Sequence, residues 1–166
     1  RTHTWINRIE RFISPSEEEL EEGIVITDEN YQTMHAKIAV ASGGIFGKAP
    51  GRSTQRNLLP HPYSDFIFAI IVEEYGLAGG VFVIMMYLIL LYRAIAIMVA
   101  IPQSFGGFLS FGLAFLLVVQ AMINMGVAVG LLPVTGQPLP LVSKGGTSML
   151  FTGISIGIIL SVSKEV

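Results

Sequence analysis

The sequence predicts an all-α, polytopic membrane helical bundle preceded by a large loop. Three observations predict it. Of 166 residues, 52% are hydrophobic and 13% charged, about half the charged share of an ordinary soluble domain. The charge is segregated: Arg1, Arg8, Arg11, Lys37, Lys48, Arg52 and Arg56 lie early, and only Arg93, Lys144 and Lys164 follow. From Asp65 onward the chain is apolar almost to its end, in three stretches of about membrane-crossing length.

A net charge of −2 gives no electrostatic case for nucleic acid. Without cysteine there is no disulfide framework and no thiolate metal site. No initiator methionine or signal peptide stands at Arg1, so the chain reads as a piece of something longer. It divides into a loop unit, 1–63, and a membrane unit, 64–166.

In the loop unit, the run Glu17-Glu18-Glu19-Leu20-Glu21-Glu22 is a solvated surface. Tyr31 to Val40 reads as a short helix packed at the membrane surface. Ser42-Gly43-Gly44-Ile45-Phe46-Gly47-Lys48-Ala49 invites a phosphate-loop reading that fails. Gly43 is one residue too close to Gly47-Lys48, Ala49 lacks a hydroxyl, and no strand precedes it. A glycine-rich turn remains.

The spans are expected at about 66–92, 105–132 and 148–163. The first contains Glu73-Glu74, and two carboxylates deep in lipid cost several kcal/mol. A surface helix from Asp65 to Glu74, then a span from Tyr75, is therefore favoured, with Gly76, Gly79 and Gly80 available for the bend. In the second, Gln120 and Asn124 lie four apart on one face and read as interhelical hydrogen-bond glue. The third is short and glycine-containing, so it needs neighbours.

Two segments carry site-like chemistry. Asp65 is an ionisable group where the apolar region begins, a costly place for a carboxylate unless it works; its bland alternative is a helix cap. Leu131 to Ser148 joins the last two spans, stiffened by Pro133, Pro138 and Pro140. It ends in Lys144-Gly145-Gly146-Thr147-Ser148, where a helix start offers N–H groups to an anion; the alternative is an ordinary cap beside a snorkelling lysine. Leu132-Pro133-Val134-Thr135-Gly136 imitates an LPxTG sorting signal, but it directly follows a span and leaves a transpeptidase no room. Three spans put residues 1–62 and the Pro133–Lys144 loop on one side, and charge counting does not orient them.

The order and spacing of these segments resemble the SEDS family of membrane proteins, FtsW and RodA, over nearly the whole chain. The matching elements are Ala36 to Lys48, Asp65-Phe66-Ile67-Phe68-Ala69, Glu73-Glu74-Tyr75-Gly76, Gln120, Asn124-Met125-Gly126, Gly130 to Gly136, Pro138-Leu139-Pro140 and Ser143 to Ser148. Lys48-Ala49-Pro50-Gly51-Arg52-Ser53 looks more like the FtsW (division) branch. The family often has Glu and His-Thr before the aspartate, where His61-Pro62 and Tyr63-Ser64 stand, and Tyr where Lys144 stands.

The resemblance implies the last three of ten spans in a bacterial cytoplasmic membrane, with residues 1–63 outside and the C-terminus inside. It implies a peptidoglycan glycosyltransferase that polymerises lipid II, with this stretch alone inactive. The rivals are a lipid II transporter and a non-catalytic scaffold. Asp65 aligns with the family's essential loop aspartate, as general base on the acceptor hydroxyl or as ligand for a divalent cation (Mg or Mn) on the pyrophosphate. No protein metal cluster and no other cofactor is implied. Lys48, Arg52 and Arg56 are candidates to hold phosphate, as are Lys144, Gly145, Gly146, Thr147 and Ser148. One of Glu73 and Glu74 is expected to face the cavity or to pair with a residue of another span. The implied partners are lipid II, membrane lipid, a class B penicillin-binding protein transpeptidase and other divisome proteins.

Overall fold

The computed structural model describes residues 28–55, 65–101 and 105–164, with side chains from residue 31. The acidic run and Arg56 lie outside the described residues. Among those described the architecture is all-helical, with four helices: α1 Asp28–Gly43, α2 Ile67–Ala100, α3 Phe105–Ala128 and α4 Gly146–Ser163. The last three are long and apolar enough to cross a membrane. The expected short helix at Tyr31 to Val40 lies inside α1.

Helix α2 has 34 residues, about 51 Å if straight, against a hydrocarbon core of about 30 Å. It is not straight. Gly76 has φ 73 and ψ −169, so the helix breaks there. The favoured two-part reading thus holds, with the break one residue past Tyr75. Residues 77–100 cover about 36 Å and cross by themselves. The helix continues past Tyr92 through an exposed Arg93, which leaves a shorter connection to α3 than the expected spans imply.

Helix α3 ends at Ala128 rather than Leu132, because Gly130 (φ 79) closes it. Gly130 N–H bonds the Val127 carbonyl at 3.0 Å and Leu131 N–H the Gly126 carbonyl at 2.8 Å. This is a Schellman stop, and it frees residues 129–145 to turn back over the bundle. Helix α4 begins at Gly146, two residues before the expected Ser148.

Helix α3 packs between α2 and α4, and α1 lies on α2. In lipid, helices gain little from hydrophobicity when they meet, so close approach through small residues decides packing. The buried face of α3 supplies Gly107, Ser110, Ala114, Ala121 and Ala128. Two cores result. One joins Ala36 and Ala39 of α1, Phe66, Phe68 and Val72, Tyr87, Ala121 and Met125 of α3, and Leu139 of the 129–145 loop. The other, towards the far end, joins Ala94, Ile97, Ala114 and Ile159. Helix α4 buries only Thr152 and Ile159, a thin seam that fits its expected need for neighbours.

Candidate active site

A broken helix leaves carbonyls without partners on one side and N–H groups on the other, each costing several kcal/mol away from water. The glycine-rich turn after α1 fills that need. Lys48 and Ala49 donate their N–H groups to the carbonyls of Glu73 and Glu74, at 2.9 and 3.1 Å. Gly44 and Ile45 accept from the N–H groups of Leu77 and Ala78, at 2.9 and 3.4 Å. The turn therefore splices the two halves of α2. Glycine is required where the backbones cross: a Cβ on Gly47 would collide with the Glu74 carbonyl, and one on Gly76 with the Ile45 carbonyl.

Side chains lock the same splice. Glu73 is fully buried, and its carboxylate accepts from Lys48 Nζ at 2.8 Å, Thr54 Oγ1 at 3.0 Å, Thr54 N–H at 3.2 Å and Ser53 Oγ. Four donors on one carboxylate suit the ionised form, which accepts only. Lys48, a candidate to hold phosphate, and Glu73, expected to face the cavity or to pair with another span, thus spend their charge on each other. The partner of Glu73 comes from the loop unit, not from another span. Sequence spacing could not show this, because 25 residues separate the pair.

Asp65 sits at the start of α2, half-buried, beside the 129–145 loop. The cap position falls on Phe66, without a side-chain cap, one residue past Asp65. Asn124 of α3 is 2% exposed and donates from Nδ2 to the Asp65 carbonyl at 2.9 Å and to the Gln137 carbonyl at 2.6 Å. Gln120 donates to the Pro138 carbonyl at 3.2 Å. Both amides, expected to bridge helices, hold loop backbone instead. An added Cβ on Gly136 would stand 3.9 Å from Asp65 Oδ2, so the loop borders the carboxylate.

The loop is wedged in place. Leu139 is fully buried, and the buried Tyr87 hydroxyl donates to the Pro140 carbonyl. The Ser143 hydroxyl accepts the Leu139 N–H at 2.8 Å, closing a tight turn with Leu141 at φ 67. Tyr87, Ser53 and Thr54 were missed in the sequence. A hydroxyl in the middle of an apolar span was the available signal for Tyr87; Ser53 and Thr54 gave none.

The other candidates are more open. Arg52 is exposed, in a turn closed by its N–H on the Ala49 carbonyl at 3.2 Å. Glu74 is half-buried and offers its carbonyl to the splice. Lys144, Gly146 and Thr147 are exposed and Ser148 is half-buried. Gly145 is the extended N-cap of α4, with no side-chain cap. Asp65, Asn124 and Gly136 of the 129–145 loop come together; Lys48 and Glu73 form a separate knot at the break. Among the described residues, no group of three or more His, Cys, Asp or Glu gathers as a metal cluster.

Comparison with known proteins places the chain. The cell cycle protein family model of FtsW, RodA and SpoVE matches residues 1–166. Stage V sporulation protein E of Bacillus subtilis (strain 168) is 39% identical over 160 residues, covering 96% of this chain and 42% of that protein. A probable peptidoglycan glycosyltransferase FtsW of Geobacter sp. (strain M18) is 38% identical over 159 residues, covering 95% and 41%. A solved structure described as "Structural coordination of polymerization and crosslinking by a peptidoglycan synthase complex" superposes with a TM-score of 0.68 at 30% identity, over 96% of this chain and 41% of its own. The chain thus spans about two fifths of the length of these relatives. With three apolar helices and a family match from end to end, it is part of an integral membrane protein and belongs to the FtsW, RodA and SpoVE family.

Proposed function

We propose that this chain serves, within a protein of its relatives' length, in polymerising lipid II into glycan strands at the outer face of the bacterial cytoplasmic membrane during cell division. The observation that carries the reading is Asp65: a half-buried carboxylate at the mouth of an apolar helix, bordered by a stiff loop and held through its own carbonyl. The names of its relatives agree with it.

In the proposed step, the acceptor sugar's 4-hydroxyl attacks the anomeric carbon of the lipid-linked donor. A new carbon–oxygen bond forms, the bond to the pyrophosphate breaks, and the hydroxyl proton passes to Asp65 as general base. The departing pyrophosphate needs positive or dipolar stabilisation. Arg52 and the start of α4 with Lys144 are the groups assigned to it; Lys48 is less suited, being committed to Glu73. Magnesium or manganese fits this donor set in its commonest form, one carboxylate with substrate phosphates completing the shell. In that alternative Asp65 would supply the carboxylate in place of acting as base, and the ion's charge would neutralise the leaving group.

Residues 1–63 and the Pro133–Lys144 loop are assigned to the outside and the C-terminus to the cytoplasm. The proposed partners are lipid II, a class B penicillin-binding protein and other divisome proteins. Reconstitution of the full-length protein with that transpeptidase in liposomes tests the enzyme reading. Long glycan strands from lipid II support it. Movement of lipid II across the bilayer without polymer would replace it with transport.

A further inference from the structure

Asn124 joins the two chain segments that meet at the candidate site. Its single amide nitrogen bonds the carbonyl of Asp65 and the carbonyl of Gln137, which lie far apart in sequence. The side chain is 2% exposed, and its Oδ1 has no partner among the described residues. The amide plane fixes the directions of both N–H bonds, so the two carbonyls are held at a set angle to each other. Gly136, one residue before Gln137, borders the Asp65 carboxylate. Water cannot readily take over the role of a group so buried, and a lost donor there leaves carbonyls unpaired.

We propose that Asn124 is a positioning residue for glycosyl transfer: it sets the Asp65 carboxylate against the loop at Gly136, and thereby against the acceptor hydroxyl. The proposal rests on the reading of Asp65 as base. A misplacement of about 1 Å in such a group can cost about a hundredfold in rate. Removing the clasp should therefore lower kcat and leave substrate affinity nearly intact, since Asn124 itself is too buried to touch the lipid-linked sugar.

The test uses the full-length protein with its transpeptidase and lipid II as substrate, comparing wild type, Asn124→Leu, Asn124→Gln and Asp65→Asn. The expected result is a fall of at least tenfold in kcat for Asn124→Leu, with KM changed less than threefold. Asn124→Gln, which keeps the amide, should recover part of the loss. Wild-type kcat in a folded Asn124→Leu overturns the proposal, as does a loss that merely follows the folded fraction. Where Asn124→Leu does not assemble, Asn124→Ser is judged by the same criterion. Failure of both to assemble assigns the residue to stability and also overturns it. Full activity of Asp65→Asn removes the base reading itself, whatever Asn124 does. An inactive Asp65→Asn beside a fully active Asn124→Leu removes the positioning role alone.

Discussion

Glu73 gathers four donors on one buried carboxylate, and together they fasten the break in α2. Its carboxylate is fully buried under Lys48, Ser53 and Thr54. Removing one partner of a buried pair typically costs about 3–5 kcal/mol, because the remaining charge is left uncompensated. Lys48 keeps a third of its side chain exposed, so water softens the loss. Lys48→Met is expected to cost about 3 kcal/mol, the low end of that range. Arg52→Ala, at an exposed position, is expected to stay within about 0.5 kcal/mol. Denaturant or thermal unfolding of the full-length protein in detergent measures both. At this scale the sequence was legible for Asp65, because an ionisable group at an apolar boundary stands out by itself. It was not legible for Glu73. A carboxylate in a span needs a partner, but nothing local says that the partner arrives from a turn 25 residues earlier.

Among elements, the break in α2 and the turn that splices it form one unit. Neither half of the helix end is satisfied without the turn, and the turn approaches closely enough only through glycine. Gly47→Ala and Gly76→Ala should each destabilise strongly, since a Cβ meets backbone at a position of positive φ. Gly112→Ala meets nothing within 4 Å, so it should be neutral or stabilising by up to about 1 kcal/mol through helix propensity. Melting temperatures of the three variants check the contrast. The break itself was legible, because Glu73-Glu74 beside three glycines made one straight helix through lipid expensive. The end of α3 falls four residues before the apolar run suggests: Leu131 and Leu132 continue that run, but Gly130 at positive φ stops the helix. Gln120 and Asn124 hold backbone rather than a neighbouring helix for a related reason. Their spacing shows a polar face, but the loop that folds back onto that face is set by Gly130 and by the wedged Leu139 and Pro140.

At the scale of the whole molecule, one end of the bundle carries almost all the described polar structure. Helix α1, its glycine-rich turn, Asp65 and the 129–145 loop converge there, while the far end is closed by small apolar contacts. This arrangement holds the Asp65 carboxylate at the end of the apolar helices rather than deep among them. The family was legible from the order of motifs along the chain. The cavity that would surround Asp65 was not, because this chain spans about two fifths of its relatives' length. The proposed chemistry rests on the charge of Asp65. The decisive measurement is glycan polymerisation from lipid II by the full-length protein with its transpeptidase, wild type beside Asp65→Asn. Polymer from the wild type and none from a folded, partner-bound Asp65→Asn is the predicted result. Equal polymer from both would contradict it.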